Sequence, residues 1–283
     1  MSTYVLYNGL SGNGTGKTKA EAINSFIGNK EPIYMDITSI SDIRSFLTSL
    51  ENDDSIYLCG GDGTLNHFIN DTDGTDIAQP LYYFPTGSGN DFWNDLGKKI
   101  GDAPVKINEY LKDLPFVEVN GMKKRFLNGI GYGIDGYCCE EGDRIRATSD
   151  KPVNYTTIAI KGLIYKYKPT NAVVTIDGVR KEYKKVWLAP AMNGRFFGGG
   201  MMPTPGQKRL AEDKKLSNLV FYGAGKLKTL IMFPSIFKGG HVKYTKNAVI
   251  TEGKHIKVEY DRPVALQIDG ETVLNVTEYE AFV

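Results

Sequence analysis

The residues best suited to chemistry in this chain lie in two short glycine-rich stretches. The first, Gly60-Gly61-Asp62-Gly63-Thr64, directly follows the apolar run Ser55–Cys59. The second, Pro85-Thr86-Gly87-Ser88-Gly89-Asn90-Asp91-Phe92, follows Leu81–Phe84. Both apolar runs read as short buried strands. Glycines at a strand end let the backbone turn sharply and bring its N–H groups close to an anion. Leu65–Asn70 then reads as a helix start, which aims a partial positive charge at the same place. Two phosphate-type loops at the ends of two strands predict a nucleotide held between them.

The elements that must position these loops alternate in type. Tyr4–Tyr7 reads as a strand, Lys17–Ile27 as a helix, Pro32–Met35 as a strand, and Ser41–Leu50 as a helix capped by Ser41 or Asp42. Strand–helix alternation with short loops predicts an α/β domain with a doubly wound parallel sheet and ligands at the carboxyl ends of its strands. After about residue 117 the character changes. β-Rich runs recur at Val173–Ile176, Lys184–Ala189, Leu219–Tyr222, Ile256–Tyr260 and Val264–Ile268, with Asp177-Gly178 and Asp269-Gly270 as turn pairs. This predicts a second, β-rich, sandwich-like domain, interrupted by helices over Tyr155–Tyr167 and Lys226–Phe237. The expected division is 1–117 for the nucleotide domain and 118–283 for the β-rich domain, with the last strand a candidate to return to the first.

Composition narrows the function. The 283 residues can bury a full core without staples. With 34 Lys and Arg against 33 Asp and Glu, the net charge of +1 predicts no general attraction to nucleic acid. Three cysteines, Cys59, Cys138 and Cys139, form no disulfide framework and suit a reducing cytoplasm. The N-terminus carries no signal-peptide pattern, and no apolar run approaches the roughly 20 residues of a membrane span. The segment Ser11-Gly-Asn-Gly-Thr-Gly16-Lys17-Thr18 nearly spells a P-loop, but Ser11 stands where the pattern needs its first glycine. A loop lining the nucleotide site, with Lys17 near phosphate, and a plain helix-starting turn are the other readings.

The two glycine loops resemble those of the diacylglycerol kinase catalytic-domain family, which carries Gly-Gly-Asp-Gly-Thr and then Gly-Thr-x-Asn-Asp-Phe. Here Ser88 replaces that Thr, a hydroxyl for a hydroxyl. The resemblance extends to Asn193-Gly194 through Gly198-Gly199-Gly200-Met201 and to Gln267-Ile-Asp269-Gly270-Glu271, so it covers nearly the whole chain. It implies the same two-domain plan, with the active site in the cleft between the domains. It also implies nucleotide contacts from Gly60, Gly61, Asp62, Gly63, Thr64, Leu65 and Asn66, and from Gly87, Ser88, Asn90 and Asp91. Thr38 matches a further nucleotide position; its other reading is a helix cap.

By the same resemblance Asp62 lies beside Mg-ATP, where phosphoryl transfer needs a divalent cation on the phosphate oxygens; otherwise it is a turn residue. The loop Leu210–Leu216 aligns with a family segment that holds a structural Mg²⁺, giving Asp213 as a ligand and Lys215 and Leu216 as carbonyl donors. Lys214 and Lys215 depart from the family pattern, and the competing reading is a solvated charged loop. Asp269-Gly270 alone reads as a hairpin turn, like Asp177-Gly178, whereas the resemblance makes Asp269 the general base that takes the substrate hydroxyl proton. None of His67, His241 and His255 lies in a better context for a base. Lys226–Phe237 reads either as core packing or as a basic amphipathic stretch at a membrane interface.

The expectation is therefore an ATP- and Mg²⁺-dependent kinase that phosphorylates a hydroxyl of a diacylglycerol-like lipid. It would be cytoplasmic, touch the inner membrane face peripherally, bind no nucleic acid, and be compatible with a homodimer. The alternatives are an NAD kinase-like phosphotransferase, which shares Gly-Gly-Asp-Gly and a β-rich second domain, and a non-catalytic nucleotide-binding regulator.

Overall fold

The computed structural model describes residues 1–11, 14–28, 31–87, 89–149 and 153–283. Two compact units form, Met1–Leu114 and Pro115–Val283.

In the first unit the apolar runs become strands β1 (Thr3–Tyr7), β2 (Ile33–Asp36), β3 (Ser55–Gly60) and β4 (Leu81–Pro85), with a short β5 (Val105–Lys106). Their order is β2-β1-β3-β4-β5; the first four are mutually parallel and β5 is antiparallel to β4. Central β3 has Ile56, Leu58 and Cys59 fully buried, as expected for a strand covered on both faces. The expected helix from Lys17 to Ile27 runs as Gly16–Ala20, a 3₁₀ turn Glu21–Ile23, and Asn24–Ile27. Of the two candidate caps, Asp42 is the one used: its carboxylate accepts the Arg44 and Ser45 amides at 3.0 and 3.1 Å and starts the helix Ile43–Thr48. Strand order reverses between β1 and β3, so the carboxyl ends of these two strands define the crevice in which such sheets bind ligands.

The second unit is one ten-stranded sheet among the described residues. It comprises β6 (Phe116–Val119), β7 (Met122–Arg125), β8 (Gly129–Tyr132), β9 (Thr170–Ile176), β10 (Val179–Leu188), β11 (Ala191–Met192), β12 (Leu216–Tyr222), β13 (Ala248–Gly253), β14 (His255–Ile268) and β15 (Glu271–Phe282). The two runs Ile256–Tyr260 and Val264–Ile268 are halves of the single strand β14. The first half pairs with β9 and the second with β8, and the ladder to β15 breaks between Glu259 and Val264. Pro263 sits in that break, where no ladder N–H is required. By serving two neighbours in turn, β14 folds the sheet over itself around one core. In that core Tyr132 stacks on Tyr260 with ring centroids 3.9 Å apart, and Tyr279 meets Tyr132 edge-on. Each of the three buried phenols donates to a backbone carbonyl.

The last strand does not return to the first domain. β15 pairs with β14 and β6, and its buried Val276, Tyr279 and Ala281 are committed to the second core. The helix Ile134–Arg146 has no counterpart among the expected elements. Gly136 lies against the β14 backbone so closely that a Cβ there would stand 1.9 Å from the Ala265 carbonyl oxygen. Among the described residues no helix is long and apolar enough to cross a membrane. The three thiols form no disulfide, and burial raises the pKa of each.

Candidate active site

The first unit assembles its candidate residues in a row along the carboxyl ends of β2, β1, β3 and β4. At the β2 end, the Thr38 amide and hydroxyl donate to the Asp36 carboxylate at 3.0 and 2.9 Å. The Gly9 amide after β1 donates to the same oxygen at 3.1 Å. Burial pulls the Asp36 carboxyl upward, but the Gly9 and Thr38 donors outweigh it and hold the group below its usual value. Asp36, not Thr38, caps the short turn Ile37–Ser39. The Asn8 amide then donates to the Thr64 hydroxyl at 3.2 Å, bridging the β1 and β3 ends at the crossover crevice.

The two glycine loops are stitched directly together. Gly60 carbonyl accepts the Thr86 amide at 2.9 Å, the Gly87 amide at 3.3 Å and the buried Tyr83 hydroxyl at 3.0 Å. The Asp62 amide donates to the Gly89 carbonyl at 3.1 Å. A Cβ on Gly87 would stand 2.5 Å from Gly61 Cα, so no larger residue can let these backbones meet. The Asp62 carboxylate crosses over to the second loop, accepting the Asp91 amide at 2.7 Å and the Phe92 amide at 3.1 Å. It thereby caps the helix Asp91–Asp95, a role beyond that of a simple turn residue.

Two features of this junction suit a phosphate. The helix Asp62–Asp71 begins at Gly61 with no side-chain cap, leaving its first turn aimed outward. A Cβ at Gly63, within that first turn, would meet nothing within 4 Å among the described residues. A glycine there costs helix stability with no packing reason in the protein itself. The Asn90 side-chain amide donates to the Gly87 carbonyl at 3.0 Å, and its buried Oδ1, without a hydrogen-bond partner among the described residues, is an acceptor that suits a donor such as a hydroxyl and not a phosphate oxygen. Leu65 and Asn66 are buried behind the helix start and support it rather than face outward. Ser88 lies outside the described residues, as do Gly12 and Asn13 of the near P-loop; Lys17 falls in the helix Gly16–Ala20.

The second unit gathers a separate polar cluster. Asp269 is 8% exposed, with φ at +47°, and its carboxylate accepts the amides of Leu127, Asn128 and Gly129, the last two at 2.8 and 2.9 Å. The same short segment receives the Asn193 side-chain amide on the Leu127 carbonyl at 2.9 Å, and Arg209 on both Leu127 and Asn128. The motifs around Asn193 and Asp269 thus converge on Leu127–Gly129. Glu271 pairs with Lys124 at 2.6 Å.

One acidic residue of this cluster escaped the sequence reading. Asp135, 4% exposed in the first turn of the helix Ile134–Arg146, accepts the Gln267 amide at 3.0 Å. Gln267 in turn accepts the Gly270 amide, so it ties Asp135 to the Asp269-Gly270 turn. A Cβ on Gly131 would fall 1.4 Å from Asp135 Oδ2. The signal was the alternation Gly129-Ile-Gly131-Tyr-Gly133 running into Ile134-Asp135, which marks a close approach.

The loop expected to hold a structural cation is arranged differently. Asp213 is exposed and pairs with Lys215 Nζ at 2.8 Å, a contact that lowers its pKa. The Lys215 carbonyl is taken by Gln207 at 2.8 Å, and Leu216 is fully buried at the start of β12. Among the described residues no group of three or more His, Cys, Asp or Glu side chains is placed to share a metal ion. An ammonium standing on Asp213, the carboxylate expected as the ligand, does not suit a resident cation. Of the three histidines, His67 is exposed, His241 is buried against the Pro203 carbonyl, and His255 pairs with Glu280.

Comparison with known proteins gives a consistent result over most of the chain. Residues 2–115 match the diacylglycerol kinase catalytic domain, and residues 128–279 match the YegS C-terminal NAD kinase beta sandwich-like domain. A diacylglycerol kinase from Mycobacterium tuberculosis is 26% identical over 268 residues, covering 90% of this chain and 84% of that protein. One from Bacillus subtilis is 24% identical over 241 residues, covering 79% and 73%. A crystal structure of a diacylglycerol kinase from Bacillus anthracis superposes with a TM-score of 0.62 at 20% identity, covering 99% of this chain and 93% of that one. The last comparison establishes the shared fold.

Proposed function

This chain belongs to the diacylglycerol kinase catalytic-domain family, and from that premise we propose that it transfers the γ-phosphate of ATP to a hydroxyl of a diacylglycerol-like lipid. The observation that carries the reading is the stitched pair of glycine loops. The helix after the first loop starts with no side-chain cap, and a Cβ at Gly63 in its first turn would meet nothing within 4 Å among the described residues, which leaves room for an anion at that backbone. Mg²⁺ bound with the nucleotide would neutralise charge on its phosphate oxygens, and it is usually held by one or two carboxylates plus the substrate. Asp62, fixed between the two loops, is the carboxylate we assign to it. Asp213 is not assigned to it, given the Lys215 pair.

Asp269 is proposed to accept the lipid hydroxyl proton. Three backbone amides orient its carboxylate, and rigid placement is what a general base requires. Labelled ATP offered to a panel of lipid alcohols in mixed micelles, with NAD as control, tests the reading. Label should appear on a diacylglycerol-like lipid and not on NAD. Label on NAD alone would make the chain an NAD kinase, and ATP binding with no transfer to any acceptor would make it a nucleotide-binding regulator.

A further inference from the structure

The helix Lys226–Met232 and the 3₁₀ turn Phe233–Lys238 that continues it are apolar on both sides. Inward, Met232, Phe233 and Ile236 are buried in the second core. Outward, Leu227 is 74% exposed and Ile231 68%, one helical turn apart, and Phe237 is 43% exposed beyond them. A surface helix normally turns polar residues to water, so this outward face calls for a partner. The patch continues onto a second element. The Lys226 ammonium donates to the Ile164 carbonyl at 2.8 Å, fastening the helix to the turn Gly162–Lys166, where Tyr165 is 74% exposed.

The charge around this patch identifies the partner. Residues 222–250 contain five lysines and no carboxylate, and residues 153–168 contain three lysines and no carboxylate. All eight ammonium-bearing residues are exposed. In a chain with a net charge of only +1, this segregation is local. Bulky apolar side chains projecting from two segments that carry exposed lysines and no carboxylate of their own fit an anionic lipid bilayer: the apolar groups enter the headgroup boundary and the lysines meet lipid phosphates. We propose that this face, centred on Leu227, Ile231 and Tyr165, docks the protein on anionic membranes. The proposal deepens the lipid-kinase reading, because a water-dissolved enzyme must sit on the bilayer to meet an embedded acceptor.

Two of the lysines also have structural duties, Lys226 on Ile164 and Lys228 on Asn247 Oδ1 at 2.7 Å. The test therefore spares them. The full-length protein is sedimented with vesicles of phosphatidylcholine alone and of phosphatidylcholine mixed with phosphatidylglycerol, at low and high salt. The wild type should co-sediment with the mixed vesicles and release as salt rises, since screening is felt over about 10 Å at 0.1 M. L227D/I231D should weaken that binding by roughly tenfold or more with an unchanged melting temperature, both side chains being exposed. K161E/K166E should weaken binding to the mixed vesicles alone. Sedimentation needs no turnover, so it stands or falls separately from the lipid-kinase assignment. Failure of the wild type to bind the mixed vesicles, or unchanged binding of L227D/I231D, overturns the proposal. So does a wild-type dimer in analytical ultracentrifugation that L227D/I231D converts to monomer, which would make the face a subunit interface.

Discussion

Two Asp-Gly turns in the second unit share the same backbone geometry and do different work. Asp177-Gly178 joins β9 to β10 and Asp269-Gly270 joins β14 to β15; both aspartates have φ at +47° and both glycines have positive φ. Each aspartate donates its amide to a third segment, Asp177 to the His255 carbonyl and Asp269 to the Gly129 carbonyl. Each carboxylate accepts amides from that same segment. The difference lies in how many oxygens are engaged and what surrounds them. Asp177 is exposed and takes the Lys254 and His255 amides on a single oxygen, Oδ1. Asp269 is buried, uses both oxygens for three amides, and grips a segment that Arg209 and Asn193 also grip. A turn motif therefore fixes a backbone shape, and only its neighbours across the fold decide whether the carboxylate is a surface latch or part of a site.

The sharpest way to break this comparison is Asp269→Asn. An asparagine can keep Oδ1 on the Asn128 and Gly129 amides, but it sets an NH₂ against the Leu127 amide where Oδ2 had accepted. A buried donor facing a donor costs about 1–3 kcal/mol, so melting temperature should fall. If the carboxylate is also the base, turnover of the folded enzyme should drop by roughly two or more orders of magnitude with ATP affinity retained. Loss of stability with normal turnover in the folded fraction would leave Asp269 a clamp and send the search for a base to Asp135.

Asp62 extends the comparison to the first unit, because it too spreads its amides over both oxygens, Asp91 on Oδ2 and Phe92 on Oδ1. Asp62→Asn should loosen the second glycine loop, raise the apparent Kd for ATP about tenfold or more, and lower melting temperature less than Asp269→Asn does, since the loop lies nearer solvent. Titration of labelled nucleotide alongside a thermal melt reads both effects. Unchanged affinity would separate the loop junction from nucleotide binding.

Much of this architecture was legible beforehand, and the pattern of what was not is physical. In the first sheet β1, β3 and β4 showed themselves because each is an apolar run followed by a loop that contains glycine, and local sequence decides both. Asp135 and the helix Ile134–Arg146 were hidden because Gly136 and Gly142 depress helix propensity; their purpose appears only when the Ala265 carbonyl and the Tyr155 ring are packed against them. The convergence of Asp269, Asn193 and Arg209 on Leu127–Gly129 was equally hidden, since those residues meet only through the folded sheet. The family resemblance marked Asp213 as a cation ligand, but Lys215 two positions on supplies the counter-charge instead.

A gentler test concerns a place where the fold has no use for its own residue. Gly63 stands in the first turn of a helix, with nothing among the described residues to meet a Cβ. Gly63→Ala should leave the protein as stable or more stable, by up to about 1 kcal/mol from helix propensity alone. If phosphate oxygens approach that backbone, the same methyl should weaken ATP binding several-fold. A thermal melt that rises while nucleotide affinity falls would show a residue kept for the ligand. Parallel changes in both would show an ordinary helix position.

The smallest effect is expected at Asp177→Asn, and its smallness is the point. Both amides that this side chain accepts, from Lys254 and His255, end on Oδ1. Asparagine retains that carbonyl oxygen, tolerates the left-handed backbone almost as well as aspartate, and places its NH₂ where water can solvate it. The change in stability should stay within about 0.5 kcal/mol, the usual span for a surface substitution that breaks no buried bond. Turnover and ATP affinity should match the wild type. Run beside Asp269→Asn, it holds turn type, backbone angle and chemical change constant, so any excess at Asp269 reports the second oxygen and the buried cluster around it. A loss at Asp177 as large as that at Asp269 would mean that both turns act only as latches between strands, and the general base would then have to be sought among other side chains of the second unit.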